Sequence, residues 1–232
     1  MIKAKKSYLF RFIFHMYNTN WLLRRSFNSV RLKGKFPSQA TASLILVNHS
    51  SWWDGLVSFY LSQTQLTQDS YAMMGEPGLK RFPFFRKIGA FSIQTNSKSS
   101  LINSLHYAVS LLKQEKAIWM FPQGKEQHTE LRPLRFQSGA AYLLEKVPEV
   151  LIIPVTYYYT FLHEQKPELF IEIGKPFQLT LKKRSIMTAE LEQIITQQLD
   201  KQRDEIKLER LDHYRFLING QRSISDFIDS QQ

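Results

Sequence analysis

The sequence predicts an α/β fold: a central mixed sheet flanked by helices, with an amphipathic helical segment ahead of it and a long helix behind. Three observations carry this. Short apolar runs alternate along the chain with stretches of helical periodicity, the pattern of strands separated by helices. The run at residues 44–47 (LILV) has no polar position, as expected of a strand covered on both faces. Finally, 232 residues with 43% hydrophobic content are enough to bury one substantial core, and no repeat or low-complexity tract interrupts them.

In chain order, residues 7–32 read as one or two amphipathic helices. Ser7, Arg11, His15, Asn18, Arg25 and Ser29 share one face, and aromatic and aliphatic side chains fill the rest. A wide apolar arc beside basic residues suits a helix lying among lipid headgroups. It suits equally a helix docked on the protein's own core, and the two readings are compatible on different faces. Residues 36–43 (FPSQATAS) form a linker. Strands are expected at 44–47, 71–74 and 91–93, with a helix over 54–62 between the first two. A helix over 97–114 carries Leu101, Leu105, Ala108 and Leu112 on one stripe. A strand at 117–121, a helix at 139–146 and strands at 151–158 and 169–173 follow. From residue 188 a long charged helix is marked by Leu191, Ile195, Leu199 and Ile206, and little beyond Gly220 can pack. The chain therefore divides into basic amphipathic helices (1–36), an α/β core (37–180) and a C-terminal helical extension (181–232).

The formal charge of +11 is unevenly placed: no Asp or Glu precedes Asp54, while Lys and Arg crowd the first 35 residues. Such a pole attracts anionic lipid or nucleic acid. The interleaved aromatics favour a membrane interface, and no helix-turn-helix or zinc spacing accompanies the charge, so nucleic acid is not an expected partner. No apolar run reaches the ~18 residues of a spanning helix. Arg11 and His15 interrupt the most apolar early stretch, and no cleavable leader is read there. The absence of cysteine excludes disulfides and thiolate nucleophiles. The six histidines show no pair at ligand spacing, so no metal is expected.

The chemistry concentrates after the first buried strand, which runs into Asn48-His49-Ser50-Ser51-Trp52-Trp53-Asp54. Sites in α/β sheets gather at the carboxyl ends of strands. A His there with a carboxylate five residues on can act as a base, the carboxylate holding one ring nitrogen while the other takes a proton. Ser51-x-x-Asp54 also reads as a capping box opening the next helix. Trp52 and Trp53, just before Asp54, are placed to line an acyl groove, though aromatics beside a sheet are more often core.

Asn48, His49 and Asp54 match the Asn-His-x4-Asp signature, and the sequence here resembles the glycerophosphate and lysophosphatidate acyltransferase superfamily. Three further blocks follow in order: Gly89-Ala90-Phe91-Ser92-Ile93, Phe121-Pro122-Gln123-Gly124 after a strand, and Ile153-Pro154-Val155. The resemblance spans roughly residues 40–180. It implies that His49 is the general base and Asp54 its orienting partner in transfer of an acyl group from acyl-CoA or acyl carrier protein, as co-substrate, to a hydroxyl. It implies no cofactor and no acyl-enzyme. Backbone N–H groups near Gly124 would hold the oxyanion.

The departures from the family concern the acceptor. Where relatives that use glycerol phosphates end the second block in Arg, this chain has Thr95. Where their third block reads Glu-Gly-Thr-Arg, it has Gln123-Gly124-Lys125-Glu126. Losing guanidinium forks and gaining an acid disfavours a phosphate. A neutral hydroxyl on a sugar or glycolipid is the expected acceptor, with Asn48, Thr95, Phe121, Pro122, Gln123, Gly124, Lys125 and Glu126 forming its surroundings; the alternatives are a lysophosphatidate acyltransferase and, from a different class, a non-catalytic basic membrane-binding protein. The expected setting is peripheral, at the cytoplasmic face of the cell membrane, against anionic lipid.

Overall fold

The computed structural model describes residues 1–39, 41–94 and 97–221. Eight strands lie in one sheet: β1 (Ser29–Lys33), β2 (Ser43–Val47), β3 (Ser70–Gly75), β4 (Ala90–Ile93), β5 (Ala117–Met120), β6 (Leu151–Thr160), β7 (Glu168–Ile173) and β8 (Arg215–Asn219). Their order is β4-β3-β5-β2-β6-β7-β1-β8. The five strands from β4 to β6 are parallel, β7 runs antiparallel to β6, β1 parallel to β7, and β8 antiparallel to β1. The sheet is mixed, as the sequence predicts.

Helices α1 (Tyr8–Tyr17), α2 (Arg24–Ser26), α3 (Asp54–Thr64), α4 (Glu76–Arg81), α5 (Lys98–Leu112), α6 (Gly139–Lys146) and α7 (Arg184–Lys207) surround it. Strand side chains alternate between two cores. Leu44 and Leu46 of β2 pack with Leu105, Leu143 and Leu191 of α5, α6 and α7. Ile45 and Val47 face the other way, onto Val57 and Leu61 of α3 and onto Leu23 and Phe27. β2 and β5 are buried at every position, which is why their sequences lack polar alternation.

Residues 7–32 are not helical throughout. α1 passes through a π-helical turn (Asn18–Leu23) into α2, and the chain then becomes strand β1 inside the sheet. Val30 and Leu32 are buried, while Arg31 reaches buried Glu168 at 2.7 Å and Lys33 reaches Glu205 at 2.6 Å. Those carboxylates lie more than 130 residues away, so the basic residues of β1 resemble a continuation of the basic helix until the partners are placed. Gly34 ends β1 with φ of +85°, where an added Cβ would sit 2.1 Å from the Ile173 carbonyl oxygen. Strand β8 was also absent from the expectation; it covers the outer edge of β1.

At the opposite edge the first seven residues run along β4 and a 3-10 segment (Pro83–Ile88) that follows α4. Ile2 and Ser92 exchange hydrogen bonds, and the N–H groups of Lys5 and Ser7 donate to Arg86 and Lys87. The strap covers what would be an open strand edge. Lys6 caps it: its ammonium lies 2.5 Å from Asp69 and 3.4 Å from the Tyr71 ring centroid. Burial brings its pKa down to about 8 despite Asp69.

Candidate active site

The parallel half of the sheet sets the site's location. β2 ends at Val47, but its neighbour β6 continues for five residues beyond the paired Val155. Asn48 exploits this overhang. Its side-chain amide donates to the Tyr157 carbonyl at 3.0 Å and accepts from the Tyr157 N–H at 2.7 Å, standing in for one more ladder residue. Asn48 is 1% exposed and both its polar side-chain atoms are bonded to the Tyr157 backbone, so in this structure it holds the loop to β6.

The chain then turns over Asp54, the first residue of α3, whose carboxylate is wholly buried. Four donors converge on it. Oδ2 accepts from His49 Nδ1 at 2.8 Å and from the N–H groups of Ser50 and Ser51 at 2.7 and 3.0 Å. Oδ1 accepts from the Tyr159 hydroxyl at 2.7 Å. The α3 N-terminus adds a favourable dipole. With Nδ1–H committed to Asp54, Nε2 is the nitrogen left to take a proton.

The loop after β5 clamps His49 from its other side. The His49 N–H donates to Gln123 Oε1 at 2.5 Å, and the Gln127 N–H donates to the His49 carbonyl at 2.9 Å. The Phe121 ring stacks on the imidazole at 4.6 Å. Gln123 is 4% exposed with its oxygen taken by the His49 N–H, which ties the loop after β5 to His49. Pro122 is buried as well, whereas Gly124, Lys125 and Glu126 are exposed. Gly124 turns with φ of +74°. Thr95 lies outside the described residues.

His49, Phe121 and Glu126 stand at a cavity of about 430 Å³ enclosed between the sheet and α3, α4 and the 3-10 segment. Its walls are mostly apolar, with Trp119, Ala72, Met74 and Ala90 from the strands and Leu56, Phe59, Phe82 and Phe85 opposite, and polar groups such as Ser58, Ser62 and Arg81 between them. Small residues leave the space open; a Cβ added at Gly55, which lines it, would meet nothing within 4 Å. Of the two tryptophans, Trp53 packs at 5.2 Å on Phe27, as a core aromatic does, while Trp52 is 55% exposed and lines the cavity.

Sequence reasoning did not find α4, the 3-10 segment, Trp119 or Tyr159. The only available signal for Tyr159 was its place two residues after Tyr157 on a strand, which puts both on one face.

An α/β sheet carrying a His paired with a buried Asp at the carboxyl end of a parallel strand, beside a mostly apolar cavity, is the arrangement of a group-transfer enzyme acting on an apolar substrate. Residues 29–158, more than half the chain, match the family described as Acyltransferase. The chain belongs to that family and is an acyltransferase. The fold is similar to the crystal structure of the 1-acyl-sn-glycerophosphate (LPA) acyltransferase PlsC from Thermotoga maritima. That match has a TM-score of 0.57 and 14% identity, and covers 83% of this chain and 93% of that one. No curated protein matches the chain in sequence.

The role of Asn48 is testable by stability. Asn48→Ala strands the Tyr157 backbone groups and should cost about 1–3 kcal/mol. Thermal unfolding should show a midpoint several degrees lower, where a substrate contact would raise KM without moving it.

Proposed function

We propose that this acyltransferase moves a fatty acyl group from acyl-CoA or acyl carrier protein to a hydroxyl of a lipid-type acceptor, using His49 as general base and Asp54 as its orienting partner. One observation carries the reading: an imidazole with one nitrogen locked to a buried carboxylate stands at an apolar cavity able to hold a hydrocarbon chain. The cavity wall runs along β3 from Met74 to Ser70, about 13 Å at the usual rise per strand residue.

His49 Nε2 takes the acceptor proton as the hydroxyl oxygen attacks the thioester carbonyl carbon. The tetrahedral intermediate collapses, the C–S bond breaks, and the proton passes to the departing thiolate. Asp54 holds the tautomer and stabilises the imidazolium formed between these steps. The backbone N–H groups of Lys125 and Glu126 are the candidates for the oxyanion, since those of Gly124 and Gln127 donate to the Phe121 and His49 carbonyls. His49→Ala should lower kcat by roughly 10²–10⁴-fold with the fold intact, and Asp54→Asn should also be severe. A folded His49→Ala protein of near-normal activity would end this mechanism.

The acceptor reading follows from the cavity mouth. Glu126 lines the cavity with His49, and an acid there repels a phosphate. A neutral hydroxyl, as on a glycolipid, suits it better. The second reading, lysophosphatidate, is favoured by Arg81, the one Lys or Arg lining the cavity among the described residues. Comparing kcat/KM decides between them. A neutral glycosylated acceptor should exceed lysophosphatidate, and Glu126→Arg should reverse the preference. A tenfold preference of the unmodified protein for lysophosphatidate, lost in Arg81→Ala, establishes the second reading.

Membrane association, peripheral and at the cytoplasmic face, is supported by α1. Its inner side packs on the cavity wall, with Phe14 5.4 Å from Phe59 and 5.5 Å from Phe84. Its outer side exposes Tyr8, Leu9, Phe12, Ile13 and Met16, beside basic Arg24 and Arg25. Among the described residues no helix is long and apolar enough to cross a membrane. Such an aromatic patch flanked by cations fits an anionic leaflet. Leu9→Glu with Phe12→Glu should lower sedimentation with anionic vesicles at least tenfold while thioester hydrolysis persists; unchanged sedimentation would refute the surface.

A further inference from the structure

We infer that Tyr159, one residue past the segment matching the family, is a positioning residue that sets the strength of the His49–Asp54 pair. The inference rests on the general-base reading of His49. β6 is ten residues long and its last turn of pleat lies beyond β2, directly beneath the loop of residues 48–53. Tyr157 and Tyr159 project from the same face of this overhang. Tyr157 spends its backbone on Asn48 and its hydroxyl on Ser58 at 2.9 Å. Tyr159 alone reaches the carboxylate, from the oxygen that the loop leaves free.

The two oxygens of Asp54 thus have different tasks. Oδ2 organises the loop through His49, Ser50 and Ser51. Oδ1 has one described partner, the phenol. A hydrogen bond to a buried carboxylate draws negative charge away from the other oxygen and stops the group rotating about its Cβ–Cγ bond. Both effects bear on the imidazole: the first moderates how tightly Asp54 holds the imidazolium, and the second fixes the line along which Nδ1 is held. Burial and the adjoining Asp54 carboxylate push the phenol well above its usual range, so it stays a donor throughout the working pH range. Phe27, with its ring centroid 5.9 Å from that of Tyr159, packs on the ring itself and has no need of the hydroxyl.

The other titratable groups about the pair are Tyr157 on the same strand, Glu126 after β5 and Arg81 on α4, all retained when Tyr159 changes. Removing the phenol leaves Asp54 a stronger acceptor, which binds the imidazolium more tightly. His49 then holds its proton to higher pH, and the base form needed for catalysis appears later in a titration. The sign is therefore a shift of the acidic limb toward higher pH.

The experiment is steady-state kinetics across pH on the full chain with Tyr159→Phe, His49→Ala, the double variant, and Tyr157→Phe as control. Tyr159→Phe should lower kcat about 10- to 100-fold, because the carboxylate, free to rotate, no longer fixes the line along which Nδ1 is held and this outweighs its tighter hold on the imidazolium, with KM for both substrates within about twofold. Its acidic limb should move up, while that of Tyr157→Phe should stay in place even where its melting temperature falls. In the double variant, Tyr159→Phe should add little to His49→Ala, because it acts through the imidazole. An unmoved acidic limb, or a loss that adds in full to that of His49→Ala, overturns the inference. Near-normal activity of His49→Ala instead removes the general-base reading beneath it, so the two failures are distinguishable.

Discussion

The buried carboxylate of Asp54 is the constraint around which the site is arranged. A carboxylate taken out of water without partners costs several kcal/mol, and the cost is offset only by a full set of donors in good geometry. Two come from the backbone of Ser50 and Ser51, which obliges the loop to wrap tightly around the α3 N-terminus. The third is His49, so the turn that satisfies the carboxylate is also the turn that orients the imidazole. The fourth comes from β6. Asn48 and Gln123, which an inspection of motif positions alone would assign to substrate, hold this loop to β6 on one side and to the turn after β5 on the other.

The sheet's two faces are filled differently, and the difference makes a cavity. Against α5, α6 and α7 the side chains are large and aliphatic, and they close-pack. Toward α3 and α4 the strands β3 and β4 present Ala72 and Ala90, and α3 contributes Gly55, so the helices stand off the sheet. The aromatic cluster of Phe82, Phe84 and Phe85 closes the space from outside and carries α1 on its back. The N-terminal segment therefore has two obligations that its composition merges: one side supports the cavity wall, and the other leaves an apolar surface to the surroundings.

Much of this was legible from the chain alone. Periodicity located the central strands, α3, α5, α6 and α7 closely, because each is a local pattern with its own burial requirement. The pairing of His49 with Asp54 was legible through the Asn-His-x4-Asp resemblance, since a His and an Asp five apart can by themselves be a loop histidine and a helix cap. What local pattern could not supply is anything whose partner is remote. β1 looked like basic helix because Glu168 and Glu205, which neutralise Arg31 and Lys33, are far along the chain. β8 was missed because its only reason to be a strand is the edge of β1.

By itself, then, the sequence determined the class of fold, the acyltransferase family and the two residues at its centre, all of which reside in contiguous motifs. Tertiary structure alone decided which motif residues line the cavity and which are bonded into the framework around it. It put Asn48 and Gln123 into hydrogen bonds with the backbone, brought Tyr159 to Asp54 across 105 positions, and opened an apolar cavity between elements of which two were unforeseen. The physical reason is that burial and hydrogen-bond satisfaction are properties of an assembled neighbourhood, and a side chain's role depends on which of its polar atoms the fold has already used.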